Sequence, residues 1–199
     1  MTRHLQFWFE FASTYSYLSA ARIEAMCAER AIELEWKPFL LGPIFADQGW
    51  ADSPFNIYPA RGAYMWRDLE RQCARFGVAF RRPSTFPRSG VLAARIACAH
   101  SSAPWIGGFV RAVYTANFAE DREISHPGVV SEILATLGQN AEEIIDTSHA
   151  GDAAHCLRLQ TEGAKRRGIF GAPSFVVGEE LFWGNDRLDE AVEWCAAHG

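Results

Sequence analysis

The chain has 199 residues, of which 49% are hydrophobic and 22% charged, with a formal net charge of −5. That length can close one generous core, or a core with a sizeable insertion, and the apolar content predicts a packed globule. Mild acidity argues against a nucleic-acid partner, and no apolar run reaches the roughly 18 residues of a membrane span. The N-terminus has no basic stretch followed by a long apolar run, which argues against a signal peptide. Cys27, Cys73, Cys98, Cys156 and Cys195 are odd in number, far apart and never spaced as Cys-x-x-Cys. They read as buried thiols, not as a disulfide framework or a zinc site, so no metal is expected and a reducing cytoplasm fits best.

In chain order, Leu5 to Phe11 is short, aromatic and bounded, and predicts a strand. Ser16 to Arg30 carries Leu18, Ile23, Met26 and Cys27 at helical spacing. Ile32 to Leu41 predicts a second strand, with Leu34, Trp36 and Pro38 on one face and Glu33, Glu35 and Lys37 on the other. The helix between them implies a parallel, right-handed pairing. Gly42 to Tyr58 is rich in breakers and reads as loop. Pro59 can start a helix to about Phe76. Further helical stretches run from Arg88 to Ser101, Pro104 to Ala119, Pro127 to Leu137, Ala141 to Ser148 and Asp152 to Arg167. Lys165-Arg166-Arg167 suits a helix C-terminus. Gly138 suits a helix end, and Asn140 with Glu143 has capping-box spacing. Ser174 to Val177 and Leu181 to Trp183 predict a hairpin around Gly178, and Asp186 can cap a last helix from Arg187 to Ala197. The pattern is β-α-β, a helical block, then β-β-α, and the strands of both ends must share one sheet. The expected division is 1–45 with 165–199 around a helical insertion at 46–164.

Several residues carry two readings. Ser13 stands where strand turns into helix. It can cap the helix, with Ser16 as a competitor for that task, or hold an anion such as a thiolate at the positive helix end. Nothing places His126 or His149 near it, so a Ser-His-Asp arrangement and a covalent role are not supported. Pro173 is either an edge-strand proline or follows a cis peptide, which would turn the Ala172 backbone toward a peptide-like ligand. Asn185 and Asp186 precede a helix, where a free carboxylate and an ammonium could both be held, as in an amino-acid head group. Arg61 is a solvated charge or the partner of a ligand carboxylate. Tyr64, Trp66, Phe86 and Trp105 are core residues or pocket walls, and the Trp50-to-Phe55 loop could shape a pocket or lid. Glu10 and Asp47 form no defensible acid–base dyad.

Four motifs carry a resemblance over nearly the whole chain. Glu10-Phe11-Ala12-Ser13-Thr14-Tyr15-Ser16-Tyr17-Leu18 is similar to the pattern Asp-x-x-Ser-Pro-Tyr-Ser-Tyr-Leu. Pro59-Ala60-Arg61-Gly62-Ala63-Tyr64 with Asp68-Leu69 resembles Pro-x-Lys-Gly-x-Tyr-x-x-x-Asp-Leu. Gly171-Ala172-Pro173-Ser174-Phe175 resembles a Gly-Val-Pro-Thr-Phe turn, and Phe182 to Leu188 resembles Phe-x-Gly-x-Asp-Arg-Leu. These are patterns of the 2-hydroxychromene-2-carboxylate isomerases, relatives of the kappa-class glutathione transferases and of DsbA-like thioredoxin-fold proteins. The resemblance implies an α/β thioredoxin-like (DsbA-like) domain with an all-helical insertion.

It also implies glutathione as cofactor, a small aromatic carboxylate as substrate and a homodimer. Ser13 would hydrogen-bond the glutathione sulfur. Ala172, before a cis Pro173, would pair with the cysteinyl part. Asn185 and Asp186 would hold the γ-glutamyl head, and Arg61 and Asp52 would complete the site. The implied chemistry is addition of the sulfur to a conjugated ring-cleavage intermediate, rotation about the freed bond and expulsion of the thiolate. Thr14 departs from the pattern's proline, Glu10 from its aspartate, Arg61 from its lysine and Asp52 from its asparagine. The rival readings are a kappa-like transferase acting on electrophiles and a non-catalytic thiol- or peptide-binding protein. A DsbA-like oxidoreductase is disfavoured because no Cys-x-x-Cys is present to cycle.

Overall fold

A computed structural model describes residues 3–199. The described chain opens with β1 (Arg3–Phe9), α1 (Thr14–Ala28) and β2 (Ile32–Pro38). β1 pairs parallel with β2, as the intervening helix requires, with Phe7 opposite Trp36. The strand stops two residues before the expected Phe11, because the chain turns where the Ser13 N–H donates to the Glu10 carbonyl at 2.9 Å. Ser13 then caps α1, which starts two residues earlier than the apolar spacing implies.

Eight helices follow. α2 (Leu41–Asp47) and α3 (Pro54–Ile57) occupy the stretch expected to be loop. The breakers there sit where helices tolerate them: Pro43 lies in the first turn of α2, and Pro54 opens α3 after the Ser53 cap. α4 (Pro59–Phe76) runs as expected, begun by Pro59 and ended by Gly77 at φ +65. It buries Met65, Trp66, Leu69 and Cys73, a stripe at helical spacing. α5 (Val91–Ala99), α6 (Ile106–Phe118), α7 (Pro127–Thr136), α8 (Ala141–His149) and α9 (Gly151–Arg166) complete the block. Gly138 follows α7 at φ +72, and Asn140 caps α8 by accepting the Glu143 N–H. α9 ends in the basic run, where Lys165 Nζ lies 2.7 Å from Asp47.

β3 (Ser174–Val177) and β4 (Glu180–Trp183) form the hairpin, then a 3-10 turn over Asn185–Arg187 leads into α10 (Leu188–His198). The sheet order is β2-β1-β3-β4, with β3 antiparallel to both neighbours. This mixed sheet with helices on both faces is a DsbA-like thioredoxin fold carrying a helical insertion. One aromatic core runs without a break from Phe7 and Phe9 of β1 to Phe109 and Tyr114 of α6, and Trp8 faces a smaller cluster under α9.

The cysteine reading is corrected. Cys98 of α5 and Cys156 of α9 are joined as a disulfide, and Cys27, Cys73 and Cys195 are buried free thiols. The pair is 58 residues apart in sequence, and only the packing of α5 on α9 brings their Cα atoms to 6.4 Å. No described helix is long and apolar enough to cross a membrane.

Candidate functional site

A cleft of about 1390 Å³ lies between the start of α1, the turn before β3, the 3-10 turn before α10 and the α2–α4 wall. Ser13, Asp52, Arg61, Ala172, Pro173, Asn185 and Asp186 all line it. Residues from both ends of the chain and from its middle therefore meet in one place.

Ser13 and the proline turn meet most closely. The Ser13 hydroxyl accepts the Ser16 N–H at 3.2 Å, so it is the helix cap, and it donates to the Ala172 carbonyl at 3.0 Å. The two readings of Ser13 are thus compatible, and Ser16 is the capped residue, not a rival cap. The Ala172-Pro173 peptide is cis, as is Phe86-Pro87, which the sequence did not signal. The Ala172 carbonyl is engaged by Ser13, not free as expected, whereas its N–H has no acceptor among the described residues. The Pro173 carbonyl accepts the Gly184 N–H at 2.9 Å, which ties this turn to the end of β4.

Gly184 sits at φ +109, a backbone conformation that strains any residue with a side chain, and it lies against the Asp186 carboxylate. Asn185 is buried and accepts the Ser19 hydroxyl of α1 at 3.0 Å. Asp186 does not cap the last helix: α10 begins at Leu188, and its start makes no side-chain cap. Placement in the 3-10 turn leaves the Asp186 carboxylate exposed, 3.8 Å from Arg187.

Arg61 and Asp52 occupy the opposite wall without forming an ion pair. The Arg61 guanidinium lies 4.6 Å from the Tyr58 ring centre and is paired with no carboxylate among the described residues. Asp52 accepts the Ser53 N–H at 2.6 Å and the Asn56 amide at 3.0 Å, which fastens the start of α3. Of the aromatic candidates, Trp66 and Trp105 are packing residues, while Tyr64 and Phe86 reach the cleft. Trp50 and Phe55 also line it, with Trp50 against Phe45.

Two features went unread in the sequence. The Tyr15 hydroxyl donates to Asp68 at 3.0 Å and bolts the first turn of α1 to the middle of α4. Burial, reinforced by the Asp68 charge, holds the Tyr15 phenol well above its ordinary range. Glu10 lines the cleft beside Ser13, and burial of its carboxyl raises its pKa to about 7 against the pull of the Ala12 N–H. Asp47 forms no dyad with it and pairs instead with Lys165. The types and order of Tyr15 and Asp68 were visible in two motifs, but nothing in spacing says that two separate helices share a bond.

A DSBA-like thioredoxin domain model matches residues 4–194. A protein of Sphingobium xenophagum named 2-hydroxychromene-2-carboxylate isomerase is 28% identical over 95% of this chain and 96% of its own. A Caenorhabditis elegans protein named glutathione S-transferase kappa 2 is 23% identical over 96% of this chain and 91% of its own. Among solved structures, a 2-hydroxychromene-2-carboxylate isomerase superposes with a TM-score of 0.83 at 24% identity, covering 94% of this chain and 91% of the other. The family model spans nearly the whole chain and the fold agrees with it: the chain belongs to the DSBA-like thioredoxin domain family.

Proposed function

We propose that the protein is a glutathione-dependent isomerase of 2-hydroxychromene-2-carboxylate-type ring-cleavage intermediates, giving trans-o-hydroxybenzylidenepyruvate-type products. The observation that carries this reading is the 3.0 Å bond from the Ser13 hydroxyl to the Ala172 carbonyl. It sets a hydrogen-bond donor, a helix N-terminus and a cis-proline backbone at one point, with no protein sulfur there.

The residues fit a tripeptide thiol. Bound glutathione would supply a nucleophilic thiolate that adds reversibly to a conjugated substrate. On binding, the Ser13 hydroxyl would turn its single proton from the Ala172 carbonyl to the sulfur and stabilise negative charge there, aided by the α1 dipole. The free Ala172 N–H would donate to a carbonyl of a peptide-like backbone lying alongside as an added strand. Asp186 would hold the ammonium and Arg61 a carboxylate. Asn185, held by Ser19, would act through the shape of its turn. Asp52 is the least suited, because its oxygens are committed to Ser53 and Asn56. At about 1390 Å³ the cleft exceeds the roughly 300–1,000 Å³ of a usual ligand pocket, leaving space for a second, aromatic ligand against Tyr64, Phe86 and Trp50.

A kappa-like transferase is the second reading, favoured by the kappa 2 relative. One preparation should be assayed with glutathione against 2-hydroxychromene-2-carboxylate and against chlorodinitrobenzene. Isomerisation supports the first reading and conjugation alone supports the second. Glutathione binding with neither turnover leaves a non-catalytic binding protein.

A further inference from the structure

The cleft is lined by a half-buried carboxyl, that of Glu10, which the reading above does not use. Glu10 stands in the turn between β1 and α1, and its carbonyl accepts the Ser13 N–H at 2.9 Å. Its carboxyl and the Ser13 hydroxyl therefore hang from one turn, and both residues line the cleft. Phe9 and Phe11 on either side of it belong to the aromatic core, which Glu10 does not join.

The groups around it offer no countercharge. From α6, Tyr114 donates its hydroxyl to the Glu10 carbonyl at 2.9 Å and leaves the carboxyl alone. On its own turn only the Ala12 N–H favours the ionised carboxylate. Arg88, the cation that lines the same wall, is already paired with Asp121 and Glu123. No Lys, Arg or His forms an ion pair with Glu10 among the described residues.

We propose that the Glu10 carboxylate is the base that takes the proton a thiol ligand gives up when its sulfur docks at Ser13. This rests on the glutathione reading above. The S–H bond breaks, its electron pair stays on sulfur, and the proton forms an O–H bond on Glu10, so nothing is oxidised or reduced. Ser13 cannot accept this proton, because a neutral hydroxyl at once accepting from Ser16 and donating to Ala172 has no proton-accepting capacity near neutral pH. A thiolate and an ionised carboxylate in one desolvated turn repel each other, so the pair retains one proton between them. Burial already holds Glu10 at about 7. A free thiol lies near 8.5 and is lowered at a helix N-terminus, which brings the two groups into the same range.

The test is a proton count. Glutathione is titrated calorimetrically into the wild type and Glu10→Gln at about pH 7.5, where most of the free Glu10 is ionised. Buffers of different ionisation enthalpy give protons released, and the ultraviolet thiolate band gives thiolate formed. The wild type should release fewer than about half a proton per thiolate, and Glu10→Gln about one. One proton per thiolate from the wild type overturns the assignment, as does uptake without a thiolate band. No uptake at all removes the glutathione reading as well, so the two failures are distinguishable. If Glu10→Gln does not fold, the wild-type stoichiometry decides alone.

Discussion

Replacing Ser13 tests the site most directly, because its one oxygen makes two bonds that can be separated. Ser13→Ala removes the cap bond to Ser16 and the bond to the Ala172 carbonyl. Losing a cap costs about 0.5–2 kcal/mol and losing a neutral hydrogen bond about 0.5–1.5 kcal/mol, so a destabilisation of about 1–3 kcal/mol is expected. For a chain of this length that lowers the melting temperature by roughly 2–4 °C per kcal/mol. Ser13→Gly keeps most of the capping preference, within a few tenths of a kcal/mol, yet also lacks the hydroxyl. A hydrogen bond to a charged sulfur is worth about 1.5–3 kcal/mol, which predicts a roughly 10- to 150-fold fall in kcat/KM for both variants. The assay is steady-state turnover with glutathione, with melting curves measured alongside. If both variants melt as expected but retain wild-type turnover, the hydroxyl serves the fold alone and the thiol-site reasoning fails.

Three further outcomes are expected. Glu10 has a folded pKa near 7 against 4.5, so the folded state binds its proton more tightly and stability falls as pH rises from about 4.5 through 7. Denaturant titrations should find Glu10→Gln up to about 3 kcal/mol more stable above that window and unchanged below it. Asp186→Ala should leave the melting temperature within the range of an ordinary surface change, because Asp186 caps nothing, while glutathione affinity measured by calorimetry falls. Thiol titration of the unfolded chain should count three free cysteines without reductant and five with it. Breaking the 58-residue cross-link should cost at most about 4 kcal/mol of stability, and a count of five without reductant would show that Cys98 and Cys156 are not joined.

Local chemistry was the legible part of this chain. Pro59 and Gly77 bracket α4 because one fits a helix start and the other a left-handed end, and both signals are written in single residues. The alternation of β2 and the hairpin around Gly178 are legible for the same reason. The stretch from Gly42 to Tyr58 misled, because proline and glycine counts say nothing about whether a proline sits in a first turn. What spacing could not give was any fact made by two distant segments: the Ser13–Ala172 bond, the Tyr15–Asp68 bond and the Cys98–Cys156 link. Residue identities in the motifs named side chains that the fold gathers around one cleft, and they already marked Asp52 as a charge in place of an amide; the fold adds that its oxygens are engaged. Glu10 stood out in the sequence only as a motif departure and as half of an unsupported dyad, because a carboxylate in sequence carries no sign of its solvation.

The Tyr15–Asp68 bond couples two parts of the cleft that a reader of the sequence would treat separately. Tyr15 lies in the first turn of the helix that Ser13 caps, and Asp68 lies about two turns along the helix whose first turn holds Arg61. A tilt of α4 therefore drags on the serine's own helix, or else ruptures a charge-assisted bond worth more than a neutral one. The bond thus fixes the spacing of the two helix starts that carry the serine and the arginine, and with it the span open to a ligand held, as proposed, at both. Ligands too short or too long to touch both ends gain little by adjusting the frame, so selectivity for ligand length would come from this strut, well away from either end it sets.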